Sequence, residues 1–213
     1  MTKLILVRHG QSTGNEIHIV TGQGDYPLTE TGHTQAKKAA TWLCAKEHVT
    51  KIYSSDLIRA YDTAVPTAAR LDLSIHTDVG LREMDMGALV GLTKSEWAKR
   101  FPDNWSVWTS DYPHYRAPEG ESIPELYARS VKTISRIAAE NDGECVAVFC
   151  HAGVMRCFEA HARSISCDNI EFVPMGKNAS ISIYTYEDGA FHSVAYDLVE
   201  HLDGSMTGVT FGL

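Results

Sequence analysis

Arg8 and His9 stand side by side directly after the apolar run Leu4-Ile5-Leu6-Val7, and Gly10 and the polar run Gln11-Ser12-Thr13-Gly14-Asn15 follow them. His151 has the same setting, since it closes Cys145-Val146-Ala147-Val148-Phe149-Cys150 and precedes Ala152-Gly153. Between them lie Arg59, in Ser54-Ser55-Asp56-Leu57-Ile58-Arg59-Ala60-Tyr61-Asp62-Thr63-Ala64, and Glu83, in Leu81-Arg82-Glu83-Met84-Asp85-Met86-Gly87. These residue types suit an anion. A guanidinium offers donors in a planar fork that meets two phosphate oxygens at once, which a lysine cannot do. The apolar neighbours of Glu83 disfavour its charged form, which is the state a general acid needs. Each residue also has an ordinary explanation: His9 as a local hydrogen-bonder, Arg59 as an exposed helix charge, Arg82 as an ion-pair partner of Glu83 or Asp85. Two buried strands that both stop at a histidine are hard to explain by core packing alone.

The elements that must position these side chains follow from local pattern. Short runs such as Leu4–Val7 and Cys145–Cys150 suit fully buried strands, and in an open α/β sheet ligands bind at the carboxyl ends of strands. Gly10 and the residues after it form a turn whose N–H groups can approach an anion. Thr29 caps a helix carrying Ala36, Ala39, Ala40 and Leu43 at helical spacing. Lys51–Ser54 reads as a strand, with Ser55 or Asp56 capping the next helix and Arg59 near its first turn. Thr93–Thr109 holds a short helix. The aromatic segment after it, with Trp105, Trp108, Tyr112 and Tyr115, either packs on the core or caps the active site.

Ser122-Ile123-Pro124-Glu125 is a capping-box pattern, and Leu126, Tyr127, Val131, Ile134 and Ile137 make a stripe that should bury on the sheet. Val154–Ala162 continues as a helix, so His151 sits near a helix amino terminus, where anions are favoured. Asn178–Thr185 and Phe191–Tyr196 form a closing hairpin around Glu187-Asp188-Gly189. The tail Leu202–Leu213 has no assignment.

A chain of 213 residues, 44% hydrophobic and 22% charged, suits one domain spanning 1–213. The net charge of −8 argues against non-specific binding to nucleic acid or an anionic membrane, so an anionic substrate needs locally concentrated arginines. The amino terminus offers neither a signal-peptide core nor a membrane span, which points to the cytoplasm. Five cysteines without a C-x-x-C pair point to reduced thiols. No internal repeat or low-complexity segment is visible.

Arg8-His9-Gly10 resembles the signature of the histidine phosphatase superfamily, also called phosphoglycerate mutase-like. Three further stretches resemble that family's motifs in the same order. They are Gly24-Asp25-Tyr26-Pro27-Leu28-Thr29 with Gly32, the Ser54–Ala64 stretch with Arg59, and Leu81-Arg82-Glu83 with its Gly87. The final motif is similar around His151, where Ala152 replaces the commoner second glycine.

The resemblance implies a three-layer α/β/α sandwich on a mostly parallel sheet, with about 93–121 as a cap or insertion over the site. It implies a phosphomonoester hydrolase that works through a phosphohistidine. His9 attacks phosphorus, Glu83 protonates the leaving oxygen, and Arg8, Asn15, Arg59 and His151 hold the phosphoryl oxygens. No metal and no cofactor are implied; the partner is a small-molecule phosphate monoester, not nucleic acid or membrane, and a homodimer is compatible. A cofactor-dependent phosphoglycerate mutase would use the same residues, but 93–118 carries only Lys94, Lys99, Arg100 and Arg116 as cations, which favours hydrolysis. A non-catalytic phosphoepitope-binding module would lack the nucleophile or the acid, and here both His9 and Glu83 are present.

Overall fold

Leu4, Ile5, Leu6 and Val7 are all fully buried, so the strand they form is covered on both faces. In the computed structural model, which describes residues 1–205, this strand is β1 (Thr2–Arg8). The chain continues as α1 (Thr13–Glu16), α2 (Glu30–Lys46), β2 (Lys51–Ser54), α3 (Ile58–Leu71) and β3 (Ile75–Thr77). There follow α4 (Lys94–Arg100), α5 (Pro102–Ser110), α6 (Ile123–Glu140), β4 (Cys145–Cys150), α7 (Ala152–Ala162), β5 (Ile181–Glu187) and β6 (Ala190–Leu198). The strand order is β3-β2-β4-β1-β5-β6; the first four run parallel, and β5 and β6 are antiparallel additions.

Side chains of successive strand residues alternate between the faces of a sheet. Leu4, Leu6, Val146 and Val148 accordingly join Leu126, Ile134 and Ile137 of α6 and Val154 and Phe158 of α7 in one apolar layer. Ile5, Val7, Ala147 and Phe149 face the other way, against Ala39 and Leu43 of α2 and Ala64 and Ala68 of α3. These are the three layers that the family resemblance implies.

Two local expectations change. Thr93–Thr109 is not one helix but two, because α4 ends at Arg100 and Pro102, with no N–H to donate, starts α5. The amino end of α3 is capped neither by Ser55 nor by Asp56. Leu57 occupies the cap position without a side-chain bond, and the Asp25 carboxylate accepts from the Ile58 N–H at 2.8 Å across 33 residues of chain. The β5–β6 turn falls at Asp188-Gly189, both at positive φ, which is the geometry a two-residue hairpin needs. The aromatic segment packs on the core: Trp97, Trp108 and Tyr115 are buried together, and Asn104 Oδ1 accepts from both the Trp97 indole (2.9 Å) and the Tyr115 hydroxyl (3.0 Å). The tail beyond Ser205 lies outside the described residues.

Candidate active site

β1 and β4 are parallel neighbours in register, with Arg8 opposite Cys150, so His9 and His151 emerge together at the carboxyl edge of the sheet. Their ring centroids are 5.1 Å apart. Gly10 must be a glycine here, because a Cβ would stand 2.6 Å from the Gly32 carbonyl oxygen where the start of α2 crosses the turn.

His9 is buried, and its Nδ1 lies 2.7 Å from the Gly10 carbonyl oxygen. A carbonyl only accepts, so Nδ1 carries the proton and Nε2 keeps a lone pair. Burial and the cations of Arg59 and Arg8 hold the His9 pKa well below its usual value, so the ring is neutral.

The two arginines are buried and backed by carbonyls. Arg8 Nη1 donates to Gly176 O at 2.6 Å. Arg59 donates from Nη1 to Gly24 O (2.8 Å) and from Nη2 to Gly22 O (2.7 Å). Burial lowers both guanidinium values to about 10, which still leaves each charged at neutral pH.

Glu83 is fully buried and accepts from the Met84 N–H (2.9 Å) and, at the start of α7, from the Gly153 N–H (3.3 Å). Burial raises its pKa, and those two N–H groups with Arg59 and Arg8 pull the other way. The alternative partner of the sequence reading is absent: Arg82 forks onto Asp56 instead, at 2.7 and 2.5 Å. Asn15 closes the capping box of α1, its Oδ1 accepting from the Ser12 N–H (3.1 Å) and Asn178 Nδ2 (3.2 Å). Its own Nδ2 is buried with no partner among the described residues, so it has protons to offer an anion. The candidate residues Arg8, His9, Asn15, Arg59, Glu83 and His151 are all buried, and electrostatic coupling joins the arginines, the histidines and Glu83 in one cluster.

A model of the histidine phosphatase superfamily, branch 1, matches residues 4–198. The chain belongs to the histidine phosphatase superfamily. It is 33% identical over 206 residues to a metal-independent phosphoserine phosphatase of Arabidopsis thaliana, covering 95% of this chain and 84% of that protein. It is 32% identical over 189 residues to phosphoglycerate mutase-like protein 4 of the same plant, covering 88% and 80%. The fold superposes on Bacillus stearothermophilus YhfR with a TM-score of 0.89 at 28% identity, covering 95% of this chain and all of the other (100%).

Other residues around this superfamily site escaped the sequence reading. The Gly24-Asp25 stretch was legible as an ordering motif only, yet it supplies the carbonyl and the carboxylate that seat Arg59 and the start of α3. Arg129 of α6 donates to the carbonyls of Gly80 (2.9 Å), Arg82 (2.8 Å) and Glu83 (3.3 Å) while paired with Glu121 at 2.8 Å. This clamp holds the turn that carries Glu83. In sequence Arg129 is only one more helix charge. Gly176 likewise comes from a loop that no local pattern marked, and Asn178, read in sequence as the start of the closing hairpin, lies in that loop ahead of β5. Among the described residues no helix is long and apolar enough to cross a membrane, and no group of three or more His, Cys, Asp or Glu side chains is arranged to hold a metal ion.

Proposed function

We propose that this histidine phosphatase superfamily chain hydrolyses a small phosphate monoester by way of a phosphohistidine on His9. The observation that carries this is the bare, neutral Nε2 of His9, tied by its other nitrogen to Gly10 and flanked by two buried arginines. In the first step Nε2 attacks phosphorus, the P–N bond forms, and the P–O bond to the leaving group breaks. Glu83, whose pKa burial raises, gives its proton to the departing oxygen. In the second step the Glu83 carboxylate takes a proton from water, whose oxygen attacks phosphorus and frees His9. Arg8, Arg59, His151 and Asn15 hold the remaining oxygens. Phosphoryl transfer spreads charge over those oxygens, so positioned donors supply most of the stabilisation.

Hydrolysis is favoured over return of the phosphoryl group. Of the cations in 93–121, the stretch that the family resemblance implies as a cap or insertion, Arg116 is already paired with Glu125 at 2.5 Å, and Arg100 lies against the Phe101 ring. The likeness to a phosphoserine phosphatase makes an alkyl monoester of that kind the first substrate to try. The test is a turnover screen over phosphate monoesters, with acid-quenched enzyme examined for label transferred from substrate labelled at phosphorus. An acid-labile label on His9 with release of phosphate is the expected result. Label on a serine or cysteine, or phosphate binding with no turnover on any monoester, would contradict the assignment.

A further inference from the structure

Ser55 follows the last residue of β2, the strand beside β4, and is fully buried. Its N–H donates to Phe149 O at 2.9 Å, so the edge of the sheet fixes its place. Its hydroxyl oxygen accepts from the Leu57 N–H at 3.3 Å and lies 2.9 Å from His151 Nε2. A hydroxyl has one proton to donate, and here the imidazole nitrogen is the acceptor in reach. A nitrogen that accepts is bare, so a neutral His151 must carry its proton on Nδ1. That Nδ1 is buried with no hydrogen-bond partner among the described residues. The helix it precedes makes no use of it, since the Gly153 N–H goes to Glu83.

The opposite tautomer is worse on two counts. It leaves the Ser55 proton without an acceptor in a buried place, and it turns a lone pair toward arriving phosphoryl oxygens. Burial with Arg59, His9 and Arg8 nearby holds the ring neutral, so protonating both nitrogens is no escape.

We propose that Ser55 is a positioning residue that donates to His151 Nε2, holds the ring as the Nδ1–H tautomer, and makes an uncharged His151 a donor to a phosphoryl oxygen. The last step rests on the phosphatase assignment; the tautomer does not.

The tautomer is read directly from two-bond 15N–1H correlations in ligand-free protein at neutral pH. The chain has ten histidines, so His151 is assigned by difference from His151→Gln. A protonated ring nitrogen resonates far upfield of a bare one, and the expected pattern is Nδ1 protonated and Nε2 bare. Ser55→Ala is expected to bring in the Nε2–H form, weaken inhibition by inorganic phosphate, and lower kcat/KM by about 10–100-fold, the usual scale for removing a partner that orients a functional histidine. Ser55→Thr, which keeps the hydroxyl, should restore all three. A merely structural serine would lower Tm and leave the phosphate inhibition constant and the tautomer alone.

An Nε2–H ring in the parent overturns the proposal, and so does an unchanged tautomer in Ser55→Ala. If the alanine variant fails to fold, the parent spectrum decides alone. A parent with the Nδ1–H ring and no turnover on any monoester would defeat the phosphatase assignment and leave the Ser55 tautomer standing.

Discussion

β1 and β4 lie side by side, run the same way, and both end at a histidine whose ring is buried and neutral. The two rings nevertheless face their common space with opposite chemistry. At the end of β1 the neighbour is a carbonyl, Gly10 O, which takes the Nδ1 proton and leaves a bare nitrogen for attack. At the end of β4 the neighbour is a hydroxyl, Ser55 Oγ, which occupies Nε2 and leaves an N–H for donation. In the proposed mechanism one residue type on one kind of strand end thus serves as nucleophile or donor according to which nitrogen a neighbour has taken.

The largest expected effect comes from removing the nucleophilic end of that pair. His9→Ala should lose turnover by on the order of 10⁴-fold or more, because the covalent route is gone, and the acid-labile phosphoenzyme should vanish with it. Phosphoenzyme surviving in the variant would reverse the roles of the two histidines.

Next in size is the acid that serves both steps. Glu83→Gln should lower kcat on alkyl phosphates by roughly 10²–10⁴-fold and on an aryl ester several times less, since a nitrophenolate needs little proton help. The protonated form is the active one, and burial raises its pKa, so the parent's kcat falls as pH rises through that raised value. The alkaline limb should be missing from the variant. Equal losses on both kinds of substrate would make Glu83 structural.

At the donor end, His151→Ala should cost about 10²–10³-fold in kcat, the scale for one lost donor to a developing charge. Inhibition by inorganic phosphate should weaken with it, whereas His9→Ala should still bind phosphate. If phosphate binding is unaffected in His151→Ala, the ring is not a donor.

A smaller effect concerns stability. Both histidines have folded values below the usual 6.5, so as pH falls the unfolded chain takes up protons before the folded one does. Their contribution is complete above that value and is lost as pH falls through the depressed folded values. Glu83 acts with the opposite sign, since its raised folded value stabilises at low pH and that gain is lost as pH rises through it. The urea midpoint of a His9→Gln/His151→Gln double variant should therefore fall less than the parent's between pH about 7 and about 5.5. A chelator should change kcat not at all, because in the proposed mechanism the cations of Arg8 and Arg59 neutralise the phosphoryl group; loss with EDTA and recovery with a divalent ion would refute that.

Much of this site was legible in sequence because its chemistry sits at element ends that local pattern marks. An apolar run that stops at Arg8-His9, another that stops at His151, and a carboxyl set among Leu81, Met84 and Met86 announce themselves within a dozen residues. Where the reading went astray, a distant group had taken a local one's place. Sequence offers Ser55 or Asp56 as the cap of α3, but the Asp25 carboxylate accepts from the Ile58 N–H at its start, and the Ser55 hydroxyl lies against His151 instead. Arg82 was a candidate partner for the adjacent Glu83, but Asp56 holds it.

Residue type and spacing, together with the family resemblance they carry, marked which side chains could do the chemistry and the buried strands that deliver them. Only the tertiary structure decided their states. It placed the carbonyls of Gly22, Gly24 and Gly176 behind the arginines, wrapped Arg129 around the Glu83 turn, and buried Glu83, which raises the pKa of its carboxyl. It also chose the tautomer at each histidine. The reason is physical: protonation and orientation follow from desolvation and from hydrogen bonds, and most of the bonds that matter here join residues tens to more than a hundred positions apart, beyond the reach of any local pattern.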